Sequence, residues 1–174
     1  MNLEAYKSFE LEDLGDELWS LSKTKNIVFV SGAYDLLHSG HVAFLNKCKK
    51  LGDILVVGVN SDQLVRNKKG DKRPIVSDVE RAFMVSNMKC VDFTFIKREP
   101  FMEKGIRVVN PKKVVFCKEG DESFLKYDEI IKKYNTNFPR IECVILDRQS
   151  AGTKLGNSTT KIIKRIMEKY GASE

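Results

Sequence analysis

The sequence predicts an α/β protein in which one parallel sheet carries helices on both of its faces. Short runs rich in Val, Ile and Phe alternate with segments whose apolar residues recur at helical spacing, which is typical of repeated strand–helix units. One of these runs, residues 54–59, is apolar along its whole length, as expected for a strand covered on both faces. Because strands alternate with helices throughout, the five strands are expected to be parallel, with right-handed crossovers and helices on both faces, which is a doubly wound arrangement.

The first strand–helix unit is the most clearly marked. Residues 26–31 form an apolar, β-branched run, and the chain breaks at Gly32. A helix is predicted at residues 40–51, because its apolar residues fall at helical spacing and Gly52 follows as a C-terminal cap. The residues expected to face inward from this helix are Phe44, Leu45, Cys48 and Leu51.

The later units follow the same pattern of apolar runs and amphipathic segments. Strands are predicted at residues 54–59, 91–96, 113–117 and 141–146. Helices are predicted at residues 78–89, 100–109, 122–134 and 158–169. After the second strand, residues 60–62 are expected to form a turn or helix cap, and residues 66–74 a dense cationic loop.

The first part of the chain, residues 1–24, is predicted to be a helical extension of a single domain that covers residues 25–174. An apolar face recurs there at helical spacing, formed by Leu11, Leu14, Leu18 and Leu21. The extension is expected to pack on the outside of the sheet or against a partner subunit. No repeat, low-complexity tract or linker indicates a second domain.

Composition indicates a globular protein of the cytoplasm. No stretch approaches the about 20 apolar residues of a membrane span, and the first residues lack the pattern of a secretory signal. The 4 cysteines are dispersed and mostly set among apolar residues, which favours free thiols over disulfides. The net charge of +6 is spread over helix faces without interleaved aromatic residues, so a solvated basic surface is expected rather than a nucleic-acid partner.

The loop after the first strand holds the main candidate site. The chain has 2 histidines, His38 and His41, and both lie in this loop on either side of Gly40. The unpaired N–H groups and the dipole of the following helix favour an anion at this position. Two imidazoles offer N–H groups to the same phosphate, and the glycine lets it approach closely. The loop is therefore predicted to bind phosphate.

Two other interpretations of the histidine pair are weaker. A zinc site needs further ligands, and the sequence has no third histidine. A chance surface pair accounts for His-x-x-His alone, but the longer pattern Gly-x-x-Asp-x-x-His-x-Gly-His after a strand is far more specific.

A second anion site is predicted at the start of the last helix. Ser158, Thr159 and Thr160 are good helix caps, and their hydroxyls, the free N–H groups and Lys161 would form an anion cradle. The turn after the fourth strand, residues 118–121, leaves the sheet at the same edge as the histidine loop. These loops are expected to flank one cleft.

The two candidate loops carry a resemblance to a known family. Gly32-Ala33-Tyr34-Asp35-Leu36-Leu37-His38-Ser39-Gly40-His41 resembles the His-x-Gly-His signature of the cytidylyltransferase-like nucleotidylyltransferases. Ser158-Thr159-Thr160-Lys161-Ile162 is similar to the Ser-Thr-Thr-x-Ile signature of the same superfamily. The resemblance covers about residues 25–166 and implies a Rossmann-like sheet with strand order 3-2-1-4-5. It also implies an NTP and a small phosphorylated acceptor as substrates, with Mg²⁺ carried on the triphosphate and no metal held by the protein alone.

The resemblance also assigns roles residue by residue. His38 and His41 would contact the phosphates and stabilise the transition state, with Lys69 and Arg81 as further catalytic cations. The residues assigned to the nucleotide are Gly32, Ala33, Tyr34, Asp35, Gly40, Lys118, Gly120, Asp121, Ser158, Thr159 and Thr160. Asp35 would in addition orient the site or the metal. The residues expected to bind or support the acceptor are Lys72, Arg73, Lys89 and Asp92.

The segment from Lys69 to Pro74, with Arg81 downstream, looks most like the corresponding part of the ADP-heptose-type adenylyltransferases. The expected reaction is therefore transfer of AMP from ATP to a sugar phosphate with release of pyrophosphate. CTP with glycerol 3-phosphate or a phosphoalcohol is the main alternative, followed by FAD synthesis. A nucleotide-binding sensor without turnover and an RNA-binding protein are the alternatives outside catalysis, and a homodimer is an open alternative to a monomer.

Overall fold

Five parallel strands form one sheet in the order β3-β2-β1-β4-β5. The structure is a computed structural model that describes residues 9–118, 124–147 and 158–171. The strands are β1 (Ile27–Gly32), β2 (Ile54–Asn60), β3 (Phe93–Lys97), β4 (Lys113–Lys118) and β5 (Glu142–Asp147). The α-helices of the described residues are α1 (Gly15–Ser22), α2 (Ser39–Lys49), α3 (Asp62–Lys69), α4 (Asp78–Ser86), α5 (Glu103–Val109), α6 (Phe124–Asn137) and α7 (Thr159–Tyr170). The predicted fold class and strand order are confirmed.

The core lies on both faces of the sheet because successive residues of a strand point to opposite sides. On one face, Val30 of β1 packs in a buried cluster with Leu45 of α2 and Val85 of α4. On the other face, Phe29 packs in a second cluster with Leu18 of α1 and Ile106 of α5. This two-sided burial explains why β1 is apolar over residues 27–30 and β2 over residues 54–59.

The cationic segment after β2 differs from the prediction, because much of it is the helix α3 and not a loop. Ser61 caps this helix by accepting a hydrogen bond from the N–H of Leu64, and Val65 is buried beneath it. The basic residues of the last turn lie at the negative end of the helix dipole, where positive charge stabilises the helix. The helix ends at Gly70, which has a φ of 86°. Glycine adopts positive φ values readily, whereas residues with a side chain rarely do.

The N-terminal segment packs as part of the domain core. A 3₁₀ turn, Glu12–Leu14, precedes α1, and Leu11 and Leu18 are both buried. The carbonyl of Phe9 accepts a hydrogen bond of 2.8 Å from the N–H of Ile96, so the segment covers the outer edge of β3. Within the described residues, no helix has the length and apolar character needed to cross a lipid bilayer.

Candidate active site

A cleft of about 750 Å³ opens at the carboxyl ends of the strands. Its lining includes Gly32 and Ala33 at the end of β1, His41 of α2, and Lys69 at the end of α3. It also includes Thr159 at the start of α7. The carboxyl edge of a doubly wound sheet is the position at which such folds bind ligands. The structure thus brings the two predicted anion-binding loops to one cleft.

The two histidine rings are held in defined orientations at the start of α2. The rings stack with centroids 3.9 Å apart and an interplanar angle of 28°. Nδ1 of His38 accepts a hydrogen bond of 3.1 Å from the N–H of Gly40. Nδ1 of His41 accepts a longer one of 3.4 Å from the N–H of His38. Because each Nδ1 is an acceptor, the proton of each neutral ring is assigned to Nε2, which makes Nε2 a donor.

The backbone before the histidines is strained in a way that shapes the loop. Tyr34 and Leu36 have φ values of 51° and 46°, in the left-handed region that non-glycine residues rarely occupy. The Tyr34 ring is buried and meets His41 edge to face, with centroids 5.5 Å apart. A Cβ on Gly32 would lie 3.0 Å from the Tyr34 ring, which is tighter than an ordinary contact, so a larger residue there would require the ring to shift by a few tenths of an ångström.

Asp35 is committed to protein donors and fixes the segment after α3 against the histidine loop. Its carboxylate is buried and accepts hydrogen bonds of 2.6 Å from Nε of Arg73 and 3.1 Å from the N–H groups of Ile75 and Val76. Burial by itself would raise the pKa of Asp35, but the two backbone N–H groups and the Arg73 guanidinium outweigh it and hold the pKa below its usual value. The geometry supports an orienting role for Asp35 and places Arg73 beside it.

The start of α7 is attached to the same loop. The Thr159 hydroxyl donates a hydrogen bond of 2.7 Å to the backbone carbonyl of Asp35. Ser158 is the N-cap, and its hydroxyl accepts a hydrogen bond of 3.3 Å from the N–H of Lys161. Thr160 is exposed. The helix start therefore faces the histidine loop with its N-terminal dipole.

We expect replacement of Asp35 by asparagine to lower the free energy of unfolding by about 3 kcal/mol, because the buried Arg73 would lose its counter-charge. The pKa of Asp35 is lower in the folded state, so the carboxylate stabilises the protein above its ordinary pKa of 3.8, and this contribution is lost as the pH falls through the folded pKa. Thermal unfolding of wild type and of Asp35→Asn between pH 7 and pH 3 measures this contribution. If the difference in Tm between the two proteins stayed constant down to pH 3, the stabilising role of the carboxylate would be contradicted.

Arg81 does not line the cleft but stabilises its floor. Its side chain is fully buried, and Nη1 donates to the backbone carbonyls of Ala33 and Asn60. Nε donates to the carbonyl of Val76 at 2.8 Å, and Nη2 pairs with the Asp62 carboxylate at 2.7 Å. All of these partners are protein groups, so the structure supports a role in holding the ends of β1 and β2 in place, and a contact of Arg81 with phosphate stays a prediction.

Two residues predicted to bind or support the acceptor lie far from the cleft. The Asp92 carboxylate accepts a hydrogen bond of 2.7 Å from the N–H of Leu55, at the amino end of β2, and forms an ion pair with Lys49. Lys89 is exposed in the segment between α4 and β3, at the same edge. Both residues therefore lie at the edge of the sheet opposite the cleft, where Asp92 supports the start of β2 and β3.

The remaining predicted site residues lie at separate places in the chain. Gly40 is buried in the first turn of α2, and Lys118 is the last residue of β4. Lys72 is exposed in the segment after Gly70. Gly120 and Asp121 lie outside the described residues.

Lys97 is a residue of the cleft that the sequence pattern did not reveal. It is the last residue of β3, lines the cleft and is only 4% exposed. A single lysine after an apolar strand is typical of a solvated strand end, so the sequence carries no signal for its burial. Among the described residues, no group of three or more His, Cys, Asp or Glu side chains is placed to hold a metal ion.

The profile of the cytidylyltransferase-like family matches residues 29–165. The chain belongs to this family. It is 48% identical over 142 residues to the bifunctional protein HldE of Helicobacter pylori strain P12, covering 82% of this chain and 28% of that protein. It is 38% identical over 152 residues to the bifunctional protein HldE of Pelobacter propionicus, covering 86% of this chain and 28% of that protein. This family member thus spans between a quarter and a third of the length of these relatives.

A solved structure shows the same fold. The lipopolysaccharide core biosynthesis protein from Thermoplasma volcanium superposes with a TM-score of 0.62 at 30% identity. The match covers 70% of this chain and 96% of that one. The family resemblance predicted from the two loops is therefore confirmed.

Proposed function

We propose that this protein is a nucleotidylyltransferase that transfers AMP from ATP to a sugar phosphate and releases pyrophosphate. The observation that carries the proposal is the stacked pair of His38 and His41, each with Nδ1 accepting from the backbone, at the start of α2 beside the cleft. This arrangement combines two imidazoles protonated at Nε2 with a helix N-terminus, which are groups that bind a polyphosphate.

The chemical obstacle in this reaction is charge repulsion, since an anionic phosphate must attack an anionic α-phosphate. The acceptor oxygen is already ionised, so no protein nucleophile or general base is needed. The protein instead has to hold the reactants in line and stabilise the charge on the equatorial oxygens and on the leaving pyrophosphate. His38 and His41 supply donors at the α-phosphate, and Lys69 and the start of α7 supply positive charge at the rim of the cleft.

The residues present fit a magnesium ion that arrives on the triphosphate. The buried Asp35 is already occupied by Arg73 and two backbone N–H groups. Mg²⁺ commonly binds substrate phosphates with few protein ligands, and it would supply charge neutralisation on the β- and γ-phosphates. The protein residues proposed to bind those phosphates are Lys69, Ser158 and Thr160.

The choice of ATP and a sugar phosphate rests on two lines of support. The segment from Lys69 to Pro74 resembles the ADP-heptose-type adenylyltransferases, and the HldE relatives are 36–48% identical to this chain. The Thermoplasma volcanium relative is a lipopolysaccharide core biosynthesis protein, which is consistent with a sugar acceptor. The reaction is proposed to take place in the cytoplasm without a nucleic-acid partner. The described cleft is formed within one chain, so both a monomer and a homodimer are compatible with the proposed activity.

A pyrophosphate-release screen with Mg²⁺ tests the proposal. ATP, CTP, GTP and UTP are each combined with hexose and heptose 1-phosphates, glycerol 3-phosphate, phosphoethanolamine, phosphocholine and FMN. We expect release with ATP and a sugar 1-phosphate, and none when either partner is omitted. Release only with CTP would move the base specificity to the cytidylyl alternative.

Two further results would reject the enzymatic proposal. Tight NTP binding without pyrophosphate release in any combination favours a sensor. Salt-sensitive RNA binding that persists after replacement of both histidines favours an RNA-binding protein.

A further inference from the structure

We propose that Lys97 and Asn60 together bind a hydroxyl group of the acceptor and so determine which phosphorylated acceptor is used. This inference rests on the proposed nucleotidyl transfer to a phosphorylated acceptor. It concerns the part of the cleft at the ends of β2 and β3, next to but separate from the histidine loop. Both residues line the cleft.

The two side chains lie side by side on one face of the sheet. Asn60 and Lys97 are register partners in the parallel pair β2–β3, and each is the last residue of its strand. Side chains of register partners point to the same face. Phe95 lies two residues before Lys97 and therefore points to the same face of the sheet. This is the face on which Phe95 packs in one buried cluster with residues of α1 and α5.

Lys97 is a buried cation without an ion pair in the part of the chain that the structure describes. Its ammonium donates to the backbone carbonyl of Glu99. The nearby carboxylates are taken by other lysines: Glu99 pairs with Lys104 at 2.9 Å, and Glu103 pairs with Lys133 at 3.0 Å. Burial lowers the pKa of Lys97, and the charges of Glu99 and Glu103 only partly oppose this effect. An ammonium has three N–H donors, so Lys97 retains donors for a ligand.

Asn60 offers the complementary group. Its side-chain Oδ1 is buried and accepts no hydrogen bond from the described residues. A buried polar atom of this kind is uncommon in folded proteins and calls for a partner. An unpaired acceptor thus lies at the end of β2, next to an ammonium at the end of β3 that has more N–H donors than the one bonded to Glu99.

The chemistry of the pair favours a hydroxyl over a phosphate. A hydroxyl accepts from the Lys97 ammonium and donates to Oδ1 of Asn60, so it satisfies both groups at once. A fully ionised phosphate only accepts hydrogen bonds, and would leave Oδ1 of Asn60 without a partner and facing a negative charge. The pair is therefore suited to a polyol, such as the ring of a sugar phosphate.

The rim of this part of the cleft fits the same ligand. Phe101 lines the cleft and is 61% exposed, so its ring is accessible to a ligand. Nζ of Lys133 lies 4.6 Å from the centroid of the Phe101 ring. An exposed aromatic ring beside polar groups can pack against the C–H face of a sugar while hydroxyls on its edge reach Lys97 and Asn60.

The test compares Lys97→Met with wild type at saturating ATP for mannose 1-phosphate and for its 2-, 3-, 4- and 6-deoxy analogues. Methionine keeps the length and volume of the side chain, and replacing a buried cation by an apolar group of similar size commonly preserves folding. We expect KM for mannose 1-phosphate to rise about 10- to 100-fold, since a hydrogen bond to a charged group is lost. KM for ATP, and KM for the analogue that lacks the hydroxyl bound by Lys97, should stay within about twofold of wild type. Asn60→Leu should give the same pattern.

Lys104→Met is the matched control, because Lys104 carries the same charge close by but does not line the cleft. It should leave the KM values for ATP and for every acceptor unchanged. An equal loss for mannose 1-phosphate and for all of its deoxy analogues in Lys97→Met would show that Lys97 binds phosphate and would overturn the proposal. A fall in kcat with unchanged acceptor KM would show a purely structural role and overturn it as well.

If the wild-type protein releases no pyrophosphate with any acceptor, the proposed function fails, and this inference is then tested by binding. Saturation-transfer NMR detects mannose 1-phosphate bound to wild type and to Lys97→Met. A signal in wild type that is lost in Lys97→Met supports the hydroxyl site. An equal signal in both proteins, or no signal in wild type, overturns it.

Discussion

Replacing His41 with alanine is expected to lower kcat/KM for nucleotidyl transfer about 100- to 1000-fold, which is the usual cost of removing one donor to developing transition-state charge. The His41 ring lines the cleft, and its Nδ1 accepts a hydrogen bond of 3.4 Å from the N–H of His38. Loss of the ring therefore removes the Nε2–H donor while disturbing the helix start little. Pyrophosphate release under saturating substrates, with thermal unfolding in parallel, measures both effects.

His38 provides a matched comparison, because it is also the N-cap of α2. Asparagine at this position keeps a cap that accepts from the backbone but has no group that extends as far as the imidazole Nε2. His38→Asn should fold with a Tm close to that of wild type and lose activity as His41→Ala does. His38→Ala should lose activity and also about 1 kcal/mol of stability. Turnover near the wild-type rate in His41→Ala and His38→Asn would remove the basis for the catalytic role.

Replacing Arg81 with methionine is expected to lower the free energy of unfolding by about 3–5 kcal/mol. The fully buried guanidinium binds three backbone carbonyls and the Asp62 carboxylate. Methionine fills much of the volume but leaves these buried acceptors without donors, and each unsatisfied acceptor is costly. Urea unfolding followed by circular dichroism measures the change.

Arg98→Met is the control for Arg81→Met. Arg98 forms an ion pair with Glu10, but both side chains are about half exposed. Exposed pairs contribute little, so this variant should stay within about 1 kcal/mol of wild type. If Arg81→Met were as stable as Arg98→Met and inactive, Arg81 would act at the phosphates as the sequence resemblance implies.

The fold was largely predictable because local pattern and tertiary position agree in the strands. Ile27, Val28, Phe29 and Val30 form an apolar run and are all buried, so hydrophobic periodicity alone identifies β1. The segment of α3 was mistaken for a loop because its cluster of charges suggests a solvated turn. The Ser61 cap and the single buried Val65 were enough to form a helix there.

The site was predictable where a loop motif sets its own geometry. The orientation of His38 and His41 follows from neighbours two or three residues away, so the motif itself contains the information. The environments of Arg81 and Lys97 depend on carbonyls and cavities formed by distant segments. No local pattern distinguishes a buried arginine or lysine from a solvated one, so the sequence indicated neither the burial of Arg81 nor the position of Lys97 in the cleft.

The hydrogen bond from the Thr159 hydroxyl to the Asp35 carbonyl determines when the cleft can be completed during synthesis. The two residues are separated by 124 positions. At about 5–20 residues per second, the ribosome makes the second residue roughly 6 to 25 s after the first. The histidine loop can form on a sheet that is still growing, but it lacks its attachment to α7 throughout this interval. A nascent chain should therefore acquire nucleotide affinity only once α7 has been made, after the five strands of the sheet.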